Sequence, residues 1–383
     1  MTARVRPYVA GAALLAVAMG VGRFAYTPLL VVMRADAGLS VAFAGVLASA
    51  NLAGYLAGGL ISMTPALRAH RTRVMWSSAF GVGLLTAAMA GPAWFWLPAR
   101  FLTGVLSGFV FVLSVSIMLE TAARTRSRWG LATFFSGVGF GIAVVGCVVP
   151  PMTRVAGSAG AWVMLGLASA LVVVAVVPWL PRDDAVTAPA SATAVSSAKA
   201  PAGFWVLAAL YGVEGLAYII PATFLVAMAG EVVQIAALAP YTWVVVGVFA
   251  APSVVVWSAI GRRVGDERAL VLAAIVQCAA LVMPLVFPGA IGVLALAFGV
   301  GATFMGMTAL GTSLGRAYWP ARASVAIGVL TVLYGIGQIA GPLIATHIAL
   351  VTGSYRLALP TAAIALLLPT LAFAGRRACV ARR

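Results

Sequence analysis

The sequence predicts an all-α integral membrane protein, with twelve transmembrane helices in two pseudo-symmetric bundles of six. Three observations carry that prediction. Of its 383 residues, 63% come from the AVILMFWYC set and only 8% are Asp, Glu, Lys or Arg, against about 25% charged in a soluble domain. So few charges cannot cover a globule of this size. The apolar residues fall in long runs instead of alternating with charge, which also excludes disordered and collagen-like chains. At about 20 residues per helical crossing, a chain of this length accommodates roughly twelve crossings.

Breaks at charge or at Pro/Gly clusters delimit the spans. In the first half they fall at 8–33, 40–64, 73–91, 94–118, 129–151 and 158–180. In the second half they fall at 203–228, 238–260, 269–287, 290–314, 323–349 and 356–376. Arg4 and Arg6 ahead of an apolar run look like the start of a signal peptide. That run continues past signal length to Arg23 without a cleavage site, so it reads as a retained first span. The stretch 181–202 is rich in Ala, Ser, Thr and Pro and reads as a flexible linker. The expected organisation is a bundle over 1–180, a cytoplasmic linker over 181–202 and a second bundle over 203–383.

The basic residues give the orientation. With a cytoplasmic N-terminus, nineteen of the 24 Lys and Arg fall in inner segments, three (Arg34, Arg154, Arg356) in outer loops and two within spans. The positive-inside rule then places both termini in the cytoplasm. The net charge of +16 is a topology device with affinity for anionic lipid, so no nucleic-acid partner is expected. Cys147, Cys278 and Cys379 are scattered and suggest neither a disulfide framework nor a metal site.

Charge at membrane depth costs at least a few kcal/mol and normally faces a protein interior or a wet cavity. Arg23 lies about fifteen residues into span 1, on one helix face with Tyr26 and Thr27. It can serve as a cavity cation that binds an anionic group, pair with Glu214, or fix packing by bonding backbone carbonyls. Glu214 lies near the middle of span 7, on a stripe with Tyr211, Tyr218 and Pro221. It can bind a proton, balance Arg23, or form a purely structural pair. Arg100 is roughly 9 Å from the outer end of span 4 at 1.5 Å per residue, and it can either snorkel or line a wet face with Gly104, Ser107, Phe111 and Ser114. Asn51 and Tyr55 share a face of span 2. Thr331, Tyr334 and Gln338 share one of span 11, where interhelical hydrogen bonds compete with a cavity role. The glycines of Gly137-Val-Gly-Phe-Gly141 in span 5 suit close helix approach, not phosphate binding.

There is no HExxH, no GxSxG with suitable partners, no Walker loop and no acidic cluster able to hold a metal. The expectation is a non-enzyme without cofactor.

Several segments carry a resemblance to the major facilitator superfamily. Arg100-Phe-Leu-Thr-Gly104 is similar to its Arg-x-x-x-Gly motif, whose arginine is associated with proton coupling. Gly261-Arg-Arg-Val-Gly265-Asp-Glu-Arg268 resembles its loop motif, with Arg262 in the slot where an Asp is usual. The equivalent first-half loop around Arg68 to Arg73 is charged and also lacks the Asp. A narrower resemblance, to the YbfB/YjiJ-type transporters, rests on three runs. These are Gly20-Val-Gly-Arg23-Phe-Ala-Tyr26-Thr27-Pro28, Tyr218-Ile-Ile-Pro221 and Gly335-Ile-Gly-Gln338-Ile-Ala-Gly341-Pro342.

The resemblance implies a cavity between spans 1, 4, 7 and 10, and a secondary transporter working by alternating access. The expected substrate is a small anionic, zwitterionic or amphipathic organic solute, with the proton as coupling ion. The expected setting is the bacterial inner membrane, and a monomer suffices. Arg23, Arg100 and Glu214 are the substrate and coupling residues expected, lined by Tyr26, Thr27, Tyr211, Tyr218, Asn51 and Gln338. An uncoupled facilitator on the same fold, or a membrane sensor or scaffold, are the alternatives.

Overall fold

The computed structural model describes residues 5–64, 67, 70–127, 129–181 and 199–380, the side chains of 377–380 excepted. Most of the expected linker, 182–198, lies outside the described residues, as do Arg4, Arg68, Arg128, Arg182, Arg382, Arg383 and the side chains of Arg377 and Cys379. Every regular element among the described residues is helical. This is what a bilayer demands of a chain whose backbone groups must be satisfied without water. Side chains such as Leu171 and Ile291, both more than 70% exposed, form an apolar exterior suited to acyl chains.

The helices are α1 (Arg6–Asp36), α2 (Val41–Ile61), α3 (Arg71–Ala88) and α4 (Ala93–Thr125). A long helix, Gly130–Val176, follows and is broken at Gly157 into two limbs, α5 and α6. The remainder are α7 (Ala202–Gly230), α8 (Thr242–Val264), α9 (Asp266–Val286), α10 (Ala290–Tyr318), α11 (Ala323–Thr352) and α12 (Ala358–Val380). Among the described residues, ten helical segments are long and apolar enough to cross a membrane. The expected twelve follow only when the Gly157 break is counted and α3 is added. Helix α3 falls short in apolarity because it opens on Arg71 and Arg73 and carries Ser77 and Ser78.

Local chemistry sets these ends. Ser40 caps α2 by accepting from Phe43 N at 3.2 Å. Asp266 and Glu267 occupy the first turn of α9 and Arg262 and Arg263 the last turn of α8, each suited to the helix dipole. Gly157 has φ 63° and ψ −169°, a conformation open to glycine. Across the break, Asp36 accepts from Ser158 N at 2.7 Å and from Ser158 Oγ at 2.8 Å. The end of α1 therefore caps the start of α6.

Three pairs of helices join the first six to the last six: α1 with α7, α2 with α11, and α5 with α8. The glycine run of span 5 serves two of its neighbours. A Cβ on Gly137 or Gly141 would strike the α1 backbone at Ala12 or Ala16, and one on Gly139 would strike Ala251 N at 2.2 Å. Close approach is therefore obligatory on two sides of α5. Polar bonds also cross between the two sets of helices. Arg23 Nη2 donates to Tyr218 Oη at 2.7 Å, Thr27 Oγ1 donates to Ala222 O, and Ser49 Oγ donates to Ile339 O at 2.8 Å. These bonds lie at mid-helix or beyond, toward the end remote from the termini.

At the terminal end each set is tied internally. Arg71 forms a two-pronged ion pair with Glu120 and also reaches Ser116. Glu120, near the end of α4, is thus committed to α3. In the second set the charge is reversed. Asp266 accepts from Ser313 at 3.1 Å and Glu267 from Tyr318 at 2.6 Å.

Candidate functional site

The middle of α1 is not an α-helix. Ala16–Phe24 winds as a π-helix, the wider form found mostly as single-turn bulges and often at functional sites. Pro28 follows and offers no N–H to the carbonyls one turn back. Arg100 supplies donors there, from Nη1 to Gly22 O at 3.0 Å and from Nη2 toward Arg23 O at 3.5 Å. Asn51 Nδ2 donates to Arg100 O at 2.9 Å and more weakly to Gly22 O at 3.4 Å. Arg100 is 3% exposed and lies over the Tyr26 ring, 4.7 Å from its centroid. It does not snorkel. It braces the irregular segment that carries Arg23.

Arg23 is 5% exposed. Its guanidinium donates to Tyr218 and sits 4.9 Å from the Tyr55 ring centroid and 5.0 Å from that of Phe24, both suited to cation–π attraction. Tyr218 Oη also accepts from Gln338 Nε2 at 2.7 Å. Spans 1, 7 and 11 therefore meet on one hydroxyl. Tyr26 is held by donating to Ala44 O at 2.9 Å.

Arg23, Arg100, Tyr26, Thr27 and Asn51 line one cavity together with Thr223 and apolar neighbours. Its volume is about 20 Å³, room for about one water and no organic solute. The Nε atoms of both arginines are buried without a hydrogen-bond partner, so each guanidinium keeps an unused donor.

Glu214 is elsewhere. It is fully buried, and neither carboxyl oxygen has a hydrogen-bond partner. It forms no ion pair with Arg23, and the structure does not bring the two together. The polar side chains that face it are Gln277 of α9 and Tyr334 of α11, neither aligned for a hydrogen bond. Glu214 thus sits inside the last six helices and not on the cavity. Tyr211, one turn before it, donates toward Thr308 O at 3.4 Å and packs on Tyr334 with ring centroids 4.7 Å apart.

A column of rings connects the two regions. Tyr334 stacks on Tyr218 at 5.7 Å, Tyr218 on Phe304 at 5.2 Å, and Phe24 touches both Phe304 and Trp243 at 6.3 and 5.9 Å. The route from Arg23 to Glu214 therefore runs through Tyr218 and Tyr334. Sequence reasoning passed over Gln277, Thr303, Phe304 and Trp243. Gln277 was findable, being the one amide in an otherwise apolar span 9, the property that singled out Gln338 in span 11.

The comparisons with known proteins agree with this architecture. The nucleoside transporter NupG is similar over 97% of this chain and 99% of its own, with TM-score 0.74 and 11% identity. The POT family transporter PepTSo gives TM-score 0.72 and 12% identity over 98% and 97%. The human organic anion transporter MFSD10 (TETRAN) gives 0.64 and 18% over 97% and 99%. No curated protein matches by sequence. The fold is that of a major facilitator transporter, an integral membrane protein that moves a small molecule. More narrowly, the chain belongs to the family described as uncharacterised MFS-type transporter YbfB, whose model matches residues 15–374.

Proposed function

We propose that this protein is a secondary active transporter of a small organic anion or zwitterion, working by rocking of the bundles 1–180 and 203–383 about the Arg23 cavity. The observation that carries this reading is the pair of buried arginines, each with a partnerless Nε, beside one shared space. Desolvated guanidinium donors are suited to a carboxylate or phosphate. Fold neighbours that include an organic anion transporter and a POT family transporter are compatible with such a solute. Toward the end remote from the termini the contact of α1 with α7 closes the cavity, and the bundles must part there for a solute to pass. Because the cross-bundle bonds lie toward the end remote from the termini, this conformation belongs to a transporter open toward the terminal face. The arginine distribution supports a cytoplasmic terminal face, and the membrane in this reading is a bacterial inner membrane.

Glu214 supplies the coupling site. A fully buried carboxyl with no cation beside it exchanges a proton at far lower cost than it holds a charge. Tyr334 and Tyr218 relay its state to Arg23. The full chain works as a monomer with lipid around it.

A thermal-shift screen of the purified protein against short carboxylates, amino acids, sugar acids and neutral and cationic counterparts tests the substrate class. At least one anion or zwitterion should raise the melting temperature by several degrees, and Arg23→Ala should abolish the shift without lowering the ligand-free value to match. Stabilisation by cations alone rejects the reading. With that ligand radiolabelled, uptake into proteoliposomes should collapse on adding a proton uncoupler, and Glu214→Gln should remove this sensitivity. Because Glu214 does not line the cavity, an uncoupled facilitator is the second reading. Wild-type counterflow indifferent to the uncoupler would establish it.

A further inference from the structure

Glu214 is surrounded by neutral groups. The titratable side chains facing it are Tyr211 and Tyr218 of its own helix and Tyr334 of α11. From α9 the facing group is the Gln277 amide, held in turn by Thr303 of α10. Both Gln277 and Thr303 are fully buried.

Counting donors around this cluster leaves an inconsistency. Thr303 Oγ1 lies 2.8 Å from Gln277 Oε1 and 2.7 Å from Gly299 O, and its hydroxyl has one proton for two acceptors. Meanwhile Gln277 Nε2 has no acceptor and Glu214 has no donor. Two arrangements of the same atoms resolve this, and they differ by a half-turn of the amide. In one, Thr303 donates to Gln277 Oε1 and Nε2 is turned to Glu214, which suits an ionised carboxylate. In the other, Nε2 donates to Thr303 Oγ1, Thr303 donates to Gly299 O, and Oε1 is turned to Glu214. A protonated carboxyl, with an O–H to give, suits that second arrangement. The two amide atoms have nearly the same shape, so the network decides between them.

We propose that Gln277 is a positioning residue for the proton on Glu214, turning its side-chain amide over when Glu214 gains or loses that proton, with Thr303 as the hydroxyl that completes either arrangement. The inference rests on Glu214 being the proton site. No covalent step is involved, since the proton moves between water and a carboxyl oxygen and the amide only exchanges which end it presents.

Infrared difference spectroscopy of the purified full chain, titrated with pH so that the proton itself is the probe, tests this directly. Wild type should show a carboxylic C=O band that titrates and is missing in Glu214→Gln. Gln234, Gln277 and Gln338 are the chain's glutamines, so ¹³C-glutamine labelling isolates their amide bands. One of these should move with the same midpoint as the carboxyl and be lost in Gln277→Met. In that variant the carboxyl band should shift to higher frequency as its acceptor disappears, and the midpoint should move by about one pH unit, tenfold in proton affinity. Thr303→Val should move it by less. A wild-type spectrum in which the carboxyl titrates while every glutamine band stays still overturns the role of Gln277, and it needs no variant to fold. Absence of any band sensitive to Glu214→Gln overturns the proton site itself, a distinguishable failure.

Discussion

Arg23 and Tyr218 share a 2.7 Å hydrogen bond across the two bundles, and Tyr218 accepts a second one from Gln338 on its far side. A neutral hydroxyl, not a carboxylate, is therefore the immediate partner of the cavity cation. This separates the question of what Arg23 binds from the question of where a proton sits.

Tyr218→Phe removes one oxygen and leaves two buried donors, on Arg23 and Gln338, without their acceptor. Interhelical hydrogen bonds in membranes are worth about 1–2 kcal/mol at most, so the expected loss of stability is of that order for the pair. Thermal unfolding in detergent reads it. An unchanged melting temperature would mean that water replaces the hydroxyl at no cost.

Arg100→Ala should damage the fold more than Arg23→Ala does. Arg100 satisfies the Gly22 carbonyl in the π segment, and a buried carbonyl left bare costs about 1–3 kcal/mol. Arg23 contacts rings and a hydroxyl that survive its removal. Monodisperse yield after size-exclusion chromatography, compared for the two variants, checks the order.

Gly157→Ala places a Cβ at a positive φ, 3.1 Å from Asp36 Oδ2. The strained backbone costs of order 1–3 kcal/mol. Asp36→Ala keeps the backbone and removes the cap of α6, a loss of about 1 kcal/mol. Chemical or thermal denaturation of both variants should rank Gly157→Ala as the more damaging.

Gly139→Leu adds a side chain where even a Cβ would lie 2.2 Å from Ala251 N. Helices α5 and α8 can no longer touch at that point. The variant should fold, with α5 free to move away from α8, but should not reach the closed conformation described here. Cysteine labelling from the side remote from the termini should then increase at positions such as Thr27→Cys, and labelling equal to that of an otherwise wild-type background would contradict the expectation.

The fold was legible because the solvent writes it into the sequence. Long apolar runs and a one-sided arginine distribution follow from the bilayer, and no tertiary detail is needed to read them. Helix α3 marks the limit of that method, since two arginines and two serines lower its apolarity although it packs among the others. Within the site, helix-face reasoning grouped Arg23, Tyr26 and Thr27 correctly, because neighbours on one helix are fixed by period alone. The π segment escaped it, because a change of winding leaves no mark on the apolar pattern of a single helix. The surroundings of Glu214 escaped it as well, since Gln277, Thr303 and Tyr334 arrive from three helices whose relative rotation no single-helix pattern encodes. A pair between Arg23 and Glu214 was one of the options the sequence left open, and the structure does not form it. Aromatic rings stand in the way.

The fastening between the two bundles is a guanidinium on a phenol and a pair of hydroxyls on main-chain carbonyls, with no carboxylate among them. Ionic strength has little hold on such a clasp, and each link can be handed to a water molecule as it separates. Among the described residues, no ion pair between the bundles has to be broken for them to part.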